Sequence, residues 1–185
     1  MSRIPAKPEK DYPFWLRFFF GNQKRKYGKP LEPAKLWARV PRLFLGVAAL
    51  FSALDRKSSP LDPVLRALIT VRVSQINWCA FCVDINSSLV LKRGGNEKKL
   101  KDLEQFRDSP HFTEAEKAAL DYAETMTVTG REYTDILFTH LRKHYAEDEI
   151  VELTGLIAFQ NLSSKFNAAL DVQPQGFCKI PPSDD

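Results

Sequence analysis

Cys79 and Cys82, with two residues between them in the segment Asn77-Trp78-Cys79-Ala80-Phe81-Cys82, carry the strongest chemical signal in the chain. If both lie on one helical turn, their sulfurs can close and reopen a disulfide with little backbone movement. At the start of a helix they would also meet backbone N–H groups that no helical carbonyl accepts. Those groups and the helix dipole favour thiolate over thiol, and thiolate is the nucleophile. Two other readings fit the same spacing: buried structural thiols, or half of a tetrahedral zinc site. Zinc would need further ligands, and His140 and His144 lie far outside zinc-finger spacing. The expectation is a redox pair with no metal and no cofactor. Cys178, in Gln175-Gly176-Phe177-Cys178, reads as incidental.

The elements that must position this pair read as helices throughout. Leu36, Trp37, Val40, Phe44, Val47, Phe51 and Leu54 recur at helical spacing and predict one helix from Pro33 to Asp55. Asp62-Pro63 supplies an N-cap carboxylate followed by proline at the first helical position, opening a helix that runs toward the cysteines. A third helix begins near Cys79 and ends at Gly94-Gly95, where glycine can turn left-handed. Asn96 caps a short helix to about Phe106. Thr113 and Glu116 have capping-box spacing for one ending near Thr127, and another spans about Tyr133 to His144. Glu147, Asp148 and Glu149 favour the N-terminus of a long last helix. No alternating strand pattern occurs, so the fold class is all-α. A helix precedes the cysteines, which disfavours the strand–helix setting of thioredoxin.

The domain limits expected are an aromatic and basic arm over 1–32, a helical domain over 33–172 and an extended tail over 173–185. The arm holds Phe14, Trp15, Phe18, Phe19 and Phe20, then the basic run Gln23-Lys24-Arg25-Lys26. Such a segment can bind RNA or an anionic membrane; clustered aromatics point instead to packing on the domain or a neighbouring subunit. The 185 residues carry a net charge of +4, which aids solubility without naming a partner. The longest nearly apolar run, from Leu43 to Leu54, is well short of the roughly 20 residues a membrane span needs. The first residues lack a secretory signal, and three cysteines are an odd count. The reading is therefore cytoplasmic, with no membrane span and no nucleic acid partner.

The stretch from Leu61 to Gly95, LDPVLRALITVRVSQINWCAFCVDINSSLVLKRGG, resembles the signature region of AhpD-like alkylhydroperoxidases of the carboxymuconolactone decarboxylase family. The stretch from Glu149 to Leu170 is similar to that family's closing helix, and the match runs from roughly Pro33 to Leu170. The resemblance implies an all-α oligomer, a trimer or hexamer, whose Cys-x-x-Cys pair reduces hydroperoxides. It implies that Cys82 is peroxidatic and becomes a sulfenic acid, and that Cys79 resolves it as a disulfide. Substrates would be a small hydroperoxide or a disulfide, with a thiol reductant as donor.

Two positions depart from the family pattern. Its usual glutamate, twelve residues before the first cysteine, is Ala67; its usual histidine, four after the second, is Asn86. Those two residues relay a proton in the relatives, and neither alanine nor an amide can do so. Asn86 can still hydrogen-bond the sulfur. Candidate substitutes are Asp84, Gln75, His140 and His144, although an anion at Asp84 would oppose thiolate formation. The expected activity is a thiol–disulfide oxidoreductase with weak, metal-free peroxidase activity. The alternatives are a non-catalytic oligomeric or redox-sensing member of the family and a lactone decarboxylase; the latter works without a Cys-x-x-Cys pair.

Overall fold

The computed structural model describes residues 2–179, and among them it contains helices and no strand. The helices are α1 (Phe14–Tyr27), α2 (Glu32–Trp37), α3 (Pro41–Leu54), α4 (Pro63–Ile76), α5 (Ala80–Lys92), α6 (Glu97–Lys101), α7 (Glu114–Thr127), α8 (Asp135–Arg142) and α9 (Glu147–Ala169). Helix starts follow their caps. Asp62 Oδ1 accepts the Leu65 N–H at 2.8 Å, and Thr113 and Glu116 form a complete capping box. None of the described helices is long and apolar enough to cross a membrane.

The helix expected over Pro33–Asp55 is two helices. Pro41 occupies the first position of α3 and drives the preceding residue out of helical space, so Val40 sits at φ −118°, ψ 91°. The apolar spacing survives the break, which is why periodicity alone did not show it. Likewise the segment after Asn96 is helical only to Lys101, then tightens into a 3-10 turn over Leu103–Gln105.

α4 is the central helix. Leu65, Ala67, Leu68, Ile69, Val71, Val73 and Ser74 are all buried, so it is enclosed nearly all round, against α5, α7 and α9. Sequestering aliphatic side chains of this size contributes about 1.5–3 kcal/mol each. Among the described residues, one buried carboxylate enters this packing. Glu124 of α7 is buried and accepts Arg72 Nε at 2.7 Å and Arg107 Nη2 at 2.7 Å, with Arg131 at 3.5 Å. Burial pushes the Glu124 carboxyl up, but the arginine hydrogen bonds outweigh it and hold it below the ordinary value.

α1 packs against the rest of the chain. Tyr12, Leu16 and Phe20 are buried with Trp37, Ala38 and Phe44, and Phe166 of α9 joins that cluster. Tyr12 Oη donates to the Lys35 carbonyl at 2.9 Å. Phe14 and Phe18, on the opposite side of α1, are exposed, as are Lys24, Arg25 and Lys26 in its last turn.

Candidate redox site

The pair is positioned by the way α4 ends. The Cys79 N–H donates to the Ser74 carbonyl and the Trp78 N–H to the Gln75 carbonyl, both near 3.0 Å. These are the two bonds of a Schellman motif, whose turning residue must take the left-handed conformation. Glycine usually stands there; here Trp78 does, at φ 55°, with its indole 89% exposed. The chain thereby leaves α4 and enters α5 with no linker, and Cys79 becomes the N-cap of α5.

Cys79 and Cys82 form a disulfide with Cα atoms 5.3 Å apart. Each sulfur has one N–H donor. The Cys82 backbone N–H donates to Cys79 Sγ at 3.2 Å, and Asn167 Nδ2 of α9 donates to Cys82 Sγ at 3.2 Å. On reduction, the same donors would meet a developing thiolate, which accepts hydrogen bonds more strongly than neutral sulfur. The surroundings are apolar: Leu36, Phe81 and Val172 are buried with the cysteines, and Phe166 and Phe177 pack against them. Relative exposure is 1% for Cys79 and 3% for Cys82, so the disulfide is shut off from solvent.

The residues after α9 shut it. α9 ends in a second Schellman motif, with Asp171 at φ 55° and the Val172 N–H donating to the Asn167 carbonyl at 3.0 Å. The chain reverses there and runs back across α5 to Asp84. Asp84 Oδ2 accepts the N–H groups of Gln175 and Gly176, and Oδ1 accepts those of Phe177 and Cys178, all at 2.8 Å. Successive N–H groups can converge on one anion because Gly176 takes φ 75°. Phe177 then meets Phe81 and Tyr27 edge-on, while Lys29 Nζ donates to the Gln175 carbonyl at 3.0 Å. Residues 172–178 thus form a strap over the disulfide, tied to α5 on one side and to the α1–α2 turn on the other. Residues 180–185 of the expected tail lie outside the described residues.

The other candidates divide. Ala67 is buried in the core. Asp84, weighed as a base, has both oxygens taken up by the strap. Gln75 accepts from Arg72 Nη1 at 3.2 Å. His140 and His144 face one another on and just beyond α8, outside the group of side chains around the sulfurs. Asn86 lines a cavity one turn beyond Cys82, and the amide that reaches the sulfur is Asn167. Sequence reasoning missed Asn167, and its position at the polar end of a long apolar stripe was the available signal. It also missed a buried polar seam between α4 and α9. There Gln160 donates to Ser74 Oγ at 2.8 Å, and Asn77 donates to Asn161 and Ser164 at 2.9 Å. That seam fixes α9, and hence Asn167, against the end of α4.

Comparison with known proteins agrees with this architecture. YnjA of Escherichia coli, an uncharacterized protein, is 42% identical over 183 residues, 98% of this chain and 95% of that one. A peroxidase-related protein from Silicibacter superposes with a TM-score of 0.84 at 22% identity, covering 94% of this chain and 92% of that one. An alkylhydroperoxidase AhpD core protein from Ralstonia eutropha superposes with a TM-score of 0.82 at 23% identity, covering 95% and 94%. These two show a shared AhpD-like fold. The sequence profile of the carboxymuconolactone decarboxylase family matches residues 41–125, the span that holds both cysteines and the helices around them, and the chain belongs to that family.

Proposed function

We propose that this protein is a thiol–disulfide oxidoreductase that reduces small hydroperoxides or disulfides through Cys79 and Cys82. The observation that carries the reading is the disulfide at the first turn of α5 with an N–H donor on each sulfur. In the peroxidase cycle the Cys82 thiolate attacks the terminal peroxide oxygen and the O–O bond breaks. With one proton taken up, this yields Cys82 sulfenic acid and an alcohol. The Cys79 thiol then displaces water from that sulfur and forms the disulfide. A dithiol reductant supplies two electrons and two protons to restore both thiols. With Ala67 and Asn86 at the relay positions, activation rests on the helix terminus and on Asn167, and peroxide turnover is slow.

The discriminating experiment is peroxide consumption with a dithiol donor, for the wild type, Cys79→Ser and Cys82→Ser. Turnover vanishes in both variants, and a sulfenate trap labels Cys82 in Cys79→Ser. Equal rates in all three proteins sink the proposal. One observation favours a second reading: a disulfide this buried exchanges slowly, which suits a redox-sensing member of the family. Stoichiometric oxidation without turnover would select it.

We also propose a homo-oligomer, a trimer or hexamer. Its support is the exposure of large apolar side chains in the single chain, Phe14 and Phe18 on α1 and Leu43, Leu45 and Leu50 on α3. A monomer in sedimentation at micromolar concentration refutes this. The proposed setting is the cytoplasm.

A further inference from the structure

The disulfide is sealed, yet any peroxide or reductant must touch its sulfurs. α4, α5 and α9, which carry and flank the pair, pack directly on one another, so parting them would loosen the core. The strap is the weaker side. Residues 172–178 form no helix, and Gln173, Pro174 and Gly176 are exposed. Segments with so little buried apolar contact open before the core does. The inner end of the strap is fixed, since Val172 is buried in the cluster around the sulfurs and its N–H bonds to the Asn167 carbonyl of α9. The outer end is held by the Asp84 hydrogen bonds, which water can replace, and by one apolar anchor, the half-buried ring of Phe177.

That ring occupies a defined slot. Phe81, buried and directly before Cys82, meets it edge-on with centroids 6.4 Å apart and planes at 87°. Tyr27, the last residue of α1, meets it at 5.9 Å and 69°. Lys29 Nζ stands 6.0 Å from its centroid. Edge-to-face pairs at about 4.5–7 Å and a cation within about 6 Å are contacts that an aromatic ring makes and an aliphatic body of similar size does not. The three walls belong to α5, to α1 and to the turn after α1, and none is part of the strap. When the strap lifts, the slot keeps its chemistry and loses its occupant.

We propose that this slot is an aromatic subsite of the redox pair, in which Phe177 holds the place of a substrate's ring. A hydroperoxide that bears an aromatic ring beside its O–O group displaces Phe177 as the strap lifts, and its ring lodges against Phe81 and Tyr27, one residue from the reacting Cys82. The choice of a hydroperoxide rests on the oxidoreductase reading; binding of the ring does not.

The test uses the full oxidised chain carrying Phe177→Ala, its fold checked by thermal unfolding, and the redox-inert probe 2-phenyl-2-propanol, the alcohol product of cumyl hydroperoxide. The probe shifts the Phe81 backbone amide resonance and saturates with a Kd on the order of 1 mM. Its saturated analogue, 2-cyclohexyl-2-propanol, binds at least ~3-fold more weakly. In the wild type the tethered Phe177 ring competes, and the probe binds ~10-fold more weakly than in the variant. Tyr27→Leu in the Phe177→Ala background removes the preference for the phenyl compound. In turnover, Phe177→Ala lowers the KM for cumyl hydroperoxide ~10-fold and leaves that for tert-butyl hydroperoxide within ~2-fold. No shift in the variant at ~10 mM probe overturns the proposal; so does an equal response to the cyclohexyl compound, or equal affinity in wild type and variant. Loss of all peroxide turnover would sink the oxidoreductase reading and leave the binding result standing, whereas absence of binding would sink the subsite whatever the turnover.

Discussion

Replacing Asp84 by asparagine should open the strap and expose the disulfide. The carboxylate accepts four backbone N–H groups at 2.8 Å, two on each oxygen. Asparagine keeps one acceptor oxygen and turns an NH2 toward the other two donors, so two bonds are lost and the remaining two lose their charge assistance. Hydrogen bonds to charged groups contribute about 1.5–3 kcal/mol each when well buried, and this cluster is partly exposed. A discounted cost of about 2–3 kcal/mol for the closed strap follows. At about 1.4 kcal/mol per factor of ten, the open population rises ~30- to 140-fold. The assay is the rate at which dithiothreitol reduces the Cys79–Cys82 disulfide, with alkylation of the released thiols read by mass spectrometry. Amide hydrogen exchange across residues 175–178 should accelerate in parallel. Faster exchange at those amides with an unchanged reduction rate would refute the reasoning, because reductant would then reach the sulfurs by a path that leaves the strap in place.

Three further outcomes follow from the same geometry. Asn167→Leu removes the amide donor from Cys82 Sγ, and in a Cys79→Ser background the alkylation rate of Cys82 at neutral pH should fall ~10-fold; an unchanged rate means the amide does not assist the thiolate. Trp78→Gly relieves a left-handed residue whose side chain is almost wholly in solvent, so stability by urea unfolding should rise by up to ~1 kcal/mol. A loss above that size would show that the indole packs. Glu124→Gln leaves Arg72, Arg107 and Arg131 without their buried counter-charge and should cost about 3–5 kcal/mol at neutral pH. Because the Glu124 pKa is lowered in the folded state, its contribution is complete above the ordinary carboxylate range and fades as pH falls through the lowered value. The stability curves of wild type and variant should converge in acid; a constant gap at all pH values would contradict the assignment.

The helical reading of the chain came from signals that act locally. Asp62-Pro63, the Thr113–Glu116 box and Gly94, which takes φ 90°, each satisfy or end a helix through their near neighbours, so their effect is legible in order along the chain. Pro41 was visible too, but the apolar stripe crosses it without a change of phase and hid the break between α2 and α3.

At the redox pair the division is sharper. Sequence by itself determined that Cys79 and Cys82 share a helical turn, because a spacing of three residues returns to nearly the same face of an α-helix. The resemblance in sequence also implied that a carboxylate and an imidazole usual to the family are replaced here by Ala67 and Asn86. Only the tertiary structure decided that Asn167, eighty-five residues away, donates to Cys82, and that Asp84 binds the strap rather than a proton. Both depend on where α9 ends and which way the chain then turns. That direction is set by a left-handed residue, Asp171, and by the docking of Val172 beside the sulfurs. Contacts of this kind are long-range: they come into being only when α4, α5 and α9 have packed, and no local pattern along the chain encodes them.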